Sequence, residues 1–299
     1  MRAARFHEYG EPDVLTIEEA PEPHAGAGQV RIRVAAASVN PIDVKIRAGY
    51  LAEAMPTAFP AITGSDAAGV VDEVGPEVSG VAVGDAVFGL TRDAAAEYAV
   101  LYAWAPTPAN WTVEESAAAG LASATASAAL DALGELSGRT ILIEGAAGGV
   151  GSAAVEIALA RGARVVGTAS ESHHDFLREL GAVPVTYGPG LADRVAEVAP
   201  EGISGALDLV GSGSLAALVA IVGDPGCVAT IADYTAAALG VPLVQGTSNA
   251  AANLALASRL GTEGSYRPRV EAVHPVDQIA EAHRHVQAGH TEGKVVVRL

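Results

Sequence analysis

The apolar run Ile141-Leu142-Ile143 leads through Glu144 into Gly145-Ala146-Ala147-Gly148-Gly149-Val150-Gly151-Ser152, and a helical pattern follows from Ala153 to Arg161. Few folds accommodate this succession. A strand buried on both faces reads as unbroken Ile, Leu and Val. Glycines just beyond it let the chain turn tightly while backbone N–H groups at a helix start face an anion. The spacing Ala146-x-Gly148-x-x-Gly151 is the dinucleotide fingerprint with alanine in its first place. A second apolar strand, Val165 to Thr168, follows. About twenty residues past the turn, where NAD-selective sites place a carboxylate for the ribose, stands Ser170. A hydroxyl there leaves room for a 2′-phosphate, so NADP(H) is the expected cofactor, with Glu171 an unfavourable neighbour unless it points away.

The rhythm continues on both sides of that turn. Apolar strands and amphipathic helices alternate as Thr140 to Glu144, Ala153 to Arg161, Val165 to Thr168, His174 to Leu180, Val183 to Tyr187, Leu191 to Val198, Ala206 to Val210, Leu215 to Val222, Cys227 to Ile231 and Val241 to Val244. Such alternation predicts an α/β fold with a doubly wound parallel sheet. The stretch before it has short strand-like runs, Gln29 to Ala35, Gly69 to Val74 and Asp85 to Phe88, between Pro and Gly punctuation, and reads as a mostly β domain. After it, a helix pattern around Val276 to Gln287 and a strand from Lys294 to Arg298 lie too far on for another regular unit, and are assigned back to the first domain. The expected division is 1–122, 123–262 and 263–299, the last returning to the first.

Charge and cysteine usage narrow the function. With 18 basic and 35 acidic residues among 299, the formal net charge is -17, which repels polyphosphate backbones and argues against nucleic acid as a partner. No apolar run approaches the roughly twenty residues of a membrane helix, and no basic-then-apolar leader opens the chain, so a cytoplasmic protein off the membrane is expected. The single cysteine, Cys227, excludes an internal disulfide and reads as an inert thiol packed in a strand from Gly226 to Ala232. No His-Glu-x-x-His occurs, and His283 and His285 are spaced two apart on an expected helix, so no metal site is expected.

Several separated motifs then agree in order. They are Met1-Arg2-Ala3 with Gly10-Glu11-Pro12, the segment Ser38-Val39-Asn40-Pro41-Ile42-Asp43 running on to Gly49, and Phe59-Pro60-Ala61-Ile62-Thr63-Gly64-Ser65-Asp66 with Gly84-Asp85-Ala86-Val87-Phe88-Gly89. Ala119 to Leu130, the glycine turn and Gly293-Lys294-Val295-Val296 complete the set. Together they resemble the zinc-independent quinone oxidoreductase branch of the medium-chain dehydrogenase/reductase superfamily, nearly end to end. Where zinc-dependent members carry a cysteine ligand this chain has the Asn40 segment, and where they carry Gly-His-Glu it has Gly64-Ser65-Asp66. The resemblance implies a GroES-like substrate domain beside a Rossmann domain, a homodimer, and NADPH as hydride donor to a quinone or an α,β-unsaturated carbonyl, with no metal. It leaves two alternatives, an enoyl-thioester reductase of a biosynthetic pathway and a non-catalytic nucleotide-binding sensor or structural protein.

The resemblance also assigns residues. Asn40 and Tyr50 match polar positions facing the nicotinamide and are the expected carbonyl or cofactor-amide partners, although an Asn before Pro41 also serves a turn. Lys45 lies where some relatives have tyrosine and reads as a solvated lysine; Asp43 reads as a capping carboxylate that holds the loop. Thr125 matches the nicotinamide end, and Gly148, Gly149, Val150 and Gly151 the pyrophosphate. Ser170 and Tyr187 match the border of the adenosine 2′-phosphate, with Arg178 nearby and His173-His174 where relatives have a lysine; Val210 and Gly211 match the adenine-side turn. Ser127 replaces an aromatic and implies a roomier acceptor pocket.

Overall fold

A computed structural model describes residues 1–289 and 291–299. In chain order it contains β1 (Arg2–Phe6), β2 (Thr16–Glu19), β3 (Val30–Val39), α1 (Pro41–Ala48), β4 (Ala61–Ile62), β5 (Asp66–Val74), β6 (Ala86–Leu90), β7 (Tyr98–Leu101), β8 (Ala103–Pro106) and α2 (Val113–Asp131). There follow β9 (Thr140–Glu144), α3 (Gly149–Ala160), β10 (Arg164–Ala169), α4 (His174–Glu179), β11 (Val183–Thr186), α5 (Leu191–Val198), β12 (Gly205–Asp208), α6 (Leu215–Val222), β13 (Val228–Thr230) and α7 (Ala250–Glu263). The chain closes with β14 (Val270–Pro275), α8 (Ile279–Ala288) and β15 (Lys294–Arg298). Two compact units result: Met1–Leu121 with Pro268–Leu299, and Ala122–Arg267.

In the first unit, β2, β1 and β4 form a small antiparallel sheet. A larger one runs β14-β15-β3-β5-β6-β8, with β7 also on β3. Strand β3 alternates inward Val30, Ile32 and Val34 with outward Arg31 and Arg33 along its first half, then turns buried throughout as β15 covers it, Val295 opposite Val39. The core beneath is apolar: Phe6, Val30, Ile32, Val71, Leu101, Val295 and Val297. Helix α1, which the strand-oriented reading of the first domain leaves out, is set by Pro41 at its first position and by Asp43, which accepts from the Asn40 backbone N–H at 2.8 Å.

The second unit is a doubly wound sheet of order β11-β10-β9-β12-β13, parallel at every pairing. Its first strand by sequence, β9, lies at the centre with Ile141, Leu142 and Ile143 all buried, as an unbroken apolar run requires. Four expectations are corrected. Val241 to Val244 is no strand: Pro242 has no N–H to give, and only Leu243 bridges to Thr230. The helix after the glycine turn opens at Gly149 rather than Ala153, its first turn built from glycines that propensity alone would keep out of a helix. Cys227 ends a 3-10 turn before β13, half-buried, with its Sγ 3.7 Å from Asp224 Oδ2, rather than lying packed in a strand. Helix α7 occupies a stretch assigned no element, its face of Leu254, Ala257 and Leu260 buried.

Candidate functional site

The glycines of the nucleotide turn divide the work. Gly145 has φ +75, a left-handed conformation, and a Cβ on it would stand 2.5 Å from Val210 Cγ2. At Gly151 a Cβ would meet the Gly145 carbonyl oxygen at 2.0 Å, so helix α3 packs on the turn only because that atom is missing. Gly148 differs: its Cβ would find only the Gly145 oxygen, at 3.6 Å, so its bareness serves whatever approaches from outside. Gly148 is also the N-cap of α3 and offers no side chain to the first-turn N–H groups of Gly149, Val150 and Gly151, which have no intrahelical acceptor. An uncapped, unobstructed helix start with its positive dipole end fits a pyrophosphate. The turn is tied to β10 by Ala146 N–H to the Thr168 carbonyl at 3.1 Å and Gly145 N–H to Thr168 Oγ1 at 3.2 Å.

At the end of β10, Ser170 Oγ lies 2.9 Å from Ser172 Oγ and 3.2 Å from His173 Nδ1, a small cluster suited to a phosphate. Arg178 on α4 is committed to Asp175 at 2.6 Å and does not join it. Tyr187 is half exposed beyond β11, in a loop that Arg194 holds by donating to the Thr186, Tyr187, Gly188 and Pro189 carbonyls. Val210 and Gly211 give their N–H groups to Asp208 Oδ1, at 3.0 and 2.8 Å, so they offer surface rather than donors. Beside them Glu144, buried at the end of β9, accepts from Ser212 and Ser214; burial pushes its carboxyl up, the Ser214 bond opposes this, and Asp208 adds to the rise. Thr125 in α2 is buried against Gly246, where a Cβ would come within 2.4 Å of its hydroxyl. Ser127, where the resemblance has an aromatic, is fully buried.

The first unit holds a buried polar cluster. Lys294, at the start of β15, donates to Asn40 Oδ1 at 2.5 Å and to the Val39 carbonyl at 3.2 Å. Asn40 Nδ2 lies 2.8 Å from Asp66 Oδ1, 3.0 Å from Asp43 Oδ2 and 3.3 Å from Ser38 Oγ. Asp66 also accepts from Ser38 Oγ at 2.5 Å and from the Leu121 N–H at 2.7 Å; Gly120 lets α2 approach, since a Cβ there would meet Asp66 Cβ at 2.7 Å. Ser65 Oγ donates to Asp43 Oδ1. The Asn40 amide hydrogens are therefore both spent inside the cluster, which corrects the expectation that they meet a substrate carbonyl. Asp43 does hold the loop, and burial, with Asp66 adding to it, pushes its carboxyl up to about 6 against the Ser65 and Asn40 bonds. Burial pulls the Lys294 ammonium down, opposed by Asp66 and Asp43. Tyr50, just past α1, is 74% exposed, and Lys45 on α1 is half-buried.

Sequence reasoning missed Lys294, Ser65 and Asp66 as a group. The signal was a lysine opening the apolar strand Val295-Val296-Val297, where a lone charge is unaffordable without partners. Among the described residues no three His, Cys, Asp or Glu side chains gather to hold a metal ion, and an ammonium amid these oxygens would repel one.

Comparisons with known proteins identify the family. Residues 26–105 match the family described as Alcohol dehydrogenase GroES-like domain, and residues 180–297 that described as Zinc-binding dehydrogenase. A 2-methylene-furan-3-one reductase of Solanum lycopersicum is 32% identical over 315 residues, 99% of this chain and 79% of that protein. A quinone oxidoreductase of Mus musculus is 32% identical over 333 residues, 100% of this chain and 98% of its own. A mycobacterial protein solved in complex with NADPH superposes with TM-score 0.85 at 28% identity, covering 100% of both chains. With its wound parallel sheet, its GroES-like first unit and full-length relatives of this kind, the chain belongs to the quinone oxidoreductase branch of the medium-chain dehydrogenase/reductase superfamily.

Proposed function

We propose that the protein is an NADPH-dependent reductase that passes hydride to a quinone or an α,β-unsaturated carbonyl without a metal ion, acting on small molecules as a cytoplasmic homodimer. The observation that carries the reading is the bare, uncapped start of α3 at Gly148, in a chain whose full-length relatives are named for quinone and enone reduction. When bound, the nicotinamide supplies the hydride. The chain's own part is to hold and orient. Gly149, Val150 and Gly151 take the pyrophosphate by backbone N–H groups across the bare surface of Gly148, whose own N–H is given to the Gly145 carbonyl at 3.2 Å, and Thr125 the nicotinamide end. Ser170 takes the 2′-phosphate with Ser172 and His173; Tyr187 and Arg178 border it, Arg178 on leaving Asp175. Val210 and Gly211 flank the adenine. The Tyr50 hydroxyl, open to solvent, donates to the acceptor carbonyl, and Asn40 acts as a positioning residue that fixes the buried cluster. The neighbour solved with NADPH supports the cofactor.

Oxidation of NADPH and of NADH is to be followed with quinones, enones and enoyl thioesters, with and without a chelator. The reading expects consumption of NADPH with a quinone or enone, insensitive to the chelator. Fastest turnover of enoyl thioesters would move the protein to a biosynthetic enoyl reductase, and nucleotide binding without turnover of any acceptor would make it a sensor.

A further inference from the structure

Reduction of an enone needs a proton as well as a hydride, and the first unit contains one buried acid with a single way out. Five members of its polar cluster, Ser38, Asn40, Asp43, Asp66 and Lys294, are buried; Ser65 alone is half-buried and meets solvent. Its position is fixed by the backbone, since the Thr91 N–H donates to the Ser65 carbonyl at 3.0 Å and the Ala94 N–H to the Gly64 carbonyl at 3.2 Å. Asp43, on α1, is faced by Asn40 at its own helix start, by Asp66 on β5 with Lys294 on β15 beyond, and by Ser65. Its two oxygens are unequal. Oδ2 accepts both the backbone and the side-chain N–H of Asn40, at 2.8 and 3.0 Å, whereas Oδ1, among the described residues, meets only the Ser65 hydroxyl. A proton on this carboxyl therefore sits on Oδ1, aimed at Ser65. Charge favours it, because one ammonium among two carboxylates leaves a surplus negative charge in a buried site, and protonating Asp43 brings the cluster to neutrality.

We propose that Asp43 is the proton source of the reduction and that Ser65 passes its proton to the acceptor. The step rests on the reductase reading above. Hydride arriving at the β-carbon leaves two electrons on the acceptor as an enolate. With Asp43 protonated, the Ser65 hydroxyl, which donates to the carboxylate, turns to accept from Oδ1; the enolate takes the Ser65 hydroxyl proton as Ser65 Oγ takes the proton from Asp43 Oδ1, and Asp43, left as carboxylate, is reprotonated from solvent back through Ser65. Ser65 is the catalytic residue and Asp43 acts through it. Lys294 and Asn40 are positioning residues: the ammonium orients the Asn40 amide, and the amide occupies Oδ2 so that only Oδ1 is free to carry the proton.

The test compares the intact chain with Ser65→Ala and Ser65→Thr. Ser65→Ala removes one bond from a half-buried hydroxyl and leaves both Asn40 bonds to Asp43, so the protein folds and titrates NADPH as before. For the intact chain, enone turnover falls as pH rises through about 6, where Asp43 loses its proton. In Ser65→Ala turnover drops by roughly a hundredfold, the scale of a general acid, and that limb of the profile flattens; Ser65→Thr restores both. Without nucleotide or acceptor, infrared titration shows a buried carboxyl band lost near pH 6, absent in Asp43→Asn and shifted in Ser65→Ala. Wild-type rate and pH profile in Ser65→Ala, or no such band, overturn the relay while the reductase reading stands. An intact chain that binds NADPH yet reduces no acceptor removes the reading, and the relay with it.

Discussion

His283 illustrates how one buried group ties stability to pH. It lies on α8 with Nε2 3.4 Å from Thr63 Oγ1 and with Nδ1 lacking a hydrogen-bond partner among the described residues. Burial, reinforced by the buried Arg47 guanidinium, brings its pKa down to about 3. The unfolded chain takes a proton near the ordinary value of about 6.5, and the folded chain resists it until about 3. The contribution is thus fully present above the unfolded value and is lost as pH falls through the window, at about 1.4 kcal/mol per pH unit. Urea midpoints at pH 7 and pH 5 should separate the native protein, which loses this increment, from His283→Leu, which does not. Equal acid losses in both would refute the assignment.

At the scale of the element, the glycine turn makes two opposite demands. Gly151→Ala drives a methyl into the Gly145 carbonyl, and the turn must open. A cost of about 1–3 kcal/mol and loss of NADPH binding are expected by thermal shift with and without nucleotide. Gly148→Ala meets only an oxygen 3.6 Å away, so its melting temperature without nucleotide stays put while the NADPH-induced shift shrinks. A further substitution, Ser170→Asp, places a carboxylate at the end of β10, where NAD-selective sites have one. Fluorescence titration should show NADPH affinity falling by at least about tenfold relative to NADH, and an unchanged ratio would place the 2′-phosphate elsewhere. Much of this second unit was legible because strand and helix periods are local properties, and β9 and α5 coincide with their apolar patterns. What escaped depended on chemistry away from the pattern: Pro242 removing a ladder donor, or α3 accepting glycines in its first turn. The Asp43 cluster escaped for a plainer reason, since Asn40 and Lys294 are 254 positions apart and only the pairing of β15 with β3 joins them.

For the molecule as a whole, a formal charge of -17 meets an anionic dinucleotide. The mean field opposes the encounter, whereas the donors at α3 act only at short range. Adding salt shrinks the reach of that field from about 30 Å at 0.01 M to about 8 Å at 0.15 M. Stopped-flow association of NADPH should therefore accelerate with ionic strength, by a few-fold over that range, the reverse of steered binding. Deceleration would mean that a cationic entrance governs capture.

The first unit is assembled from two distant chain segments, Met1–Leu121 and Pro268–Leu299, with the second unit encoded between them. On the ribosome the contiguous Ala122–Arg267 has all its strands in hand while its neighbour still lacks β15. Until that strand emerges, the nascent GroES-like half carries Asp43 and Asp66 without the Lys294 ammonium, and Ala36 to Val39 of β3, beyond the stretch that β7 pairs, have no partner on that edge. Closure of the first unit therefore waits on β15, and a polypeptide truncated before Lys294 would present chaperones and proteases with an incompletely paired β3 beside two adjacent carboxylates.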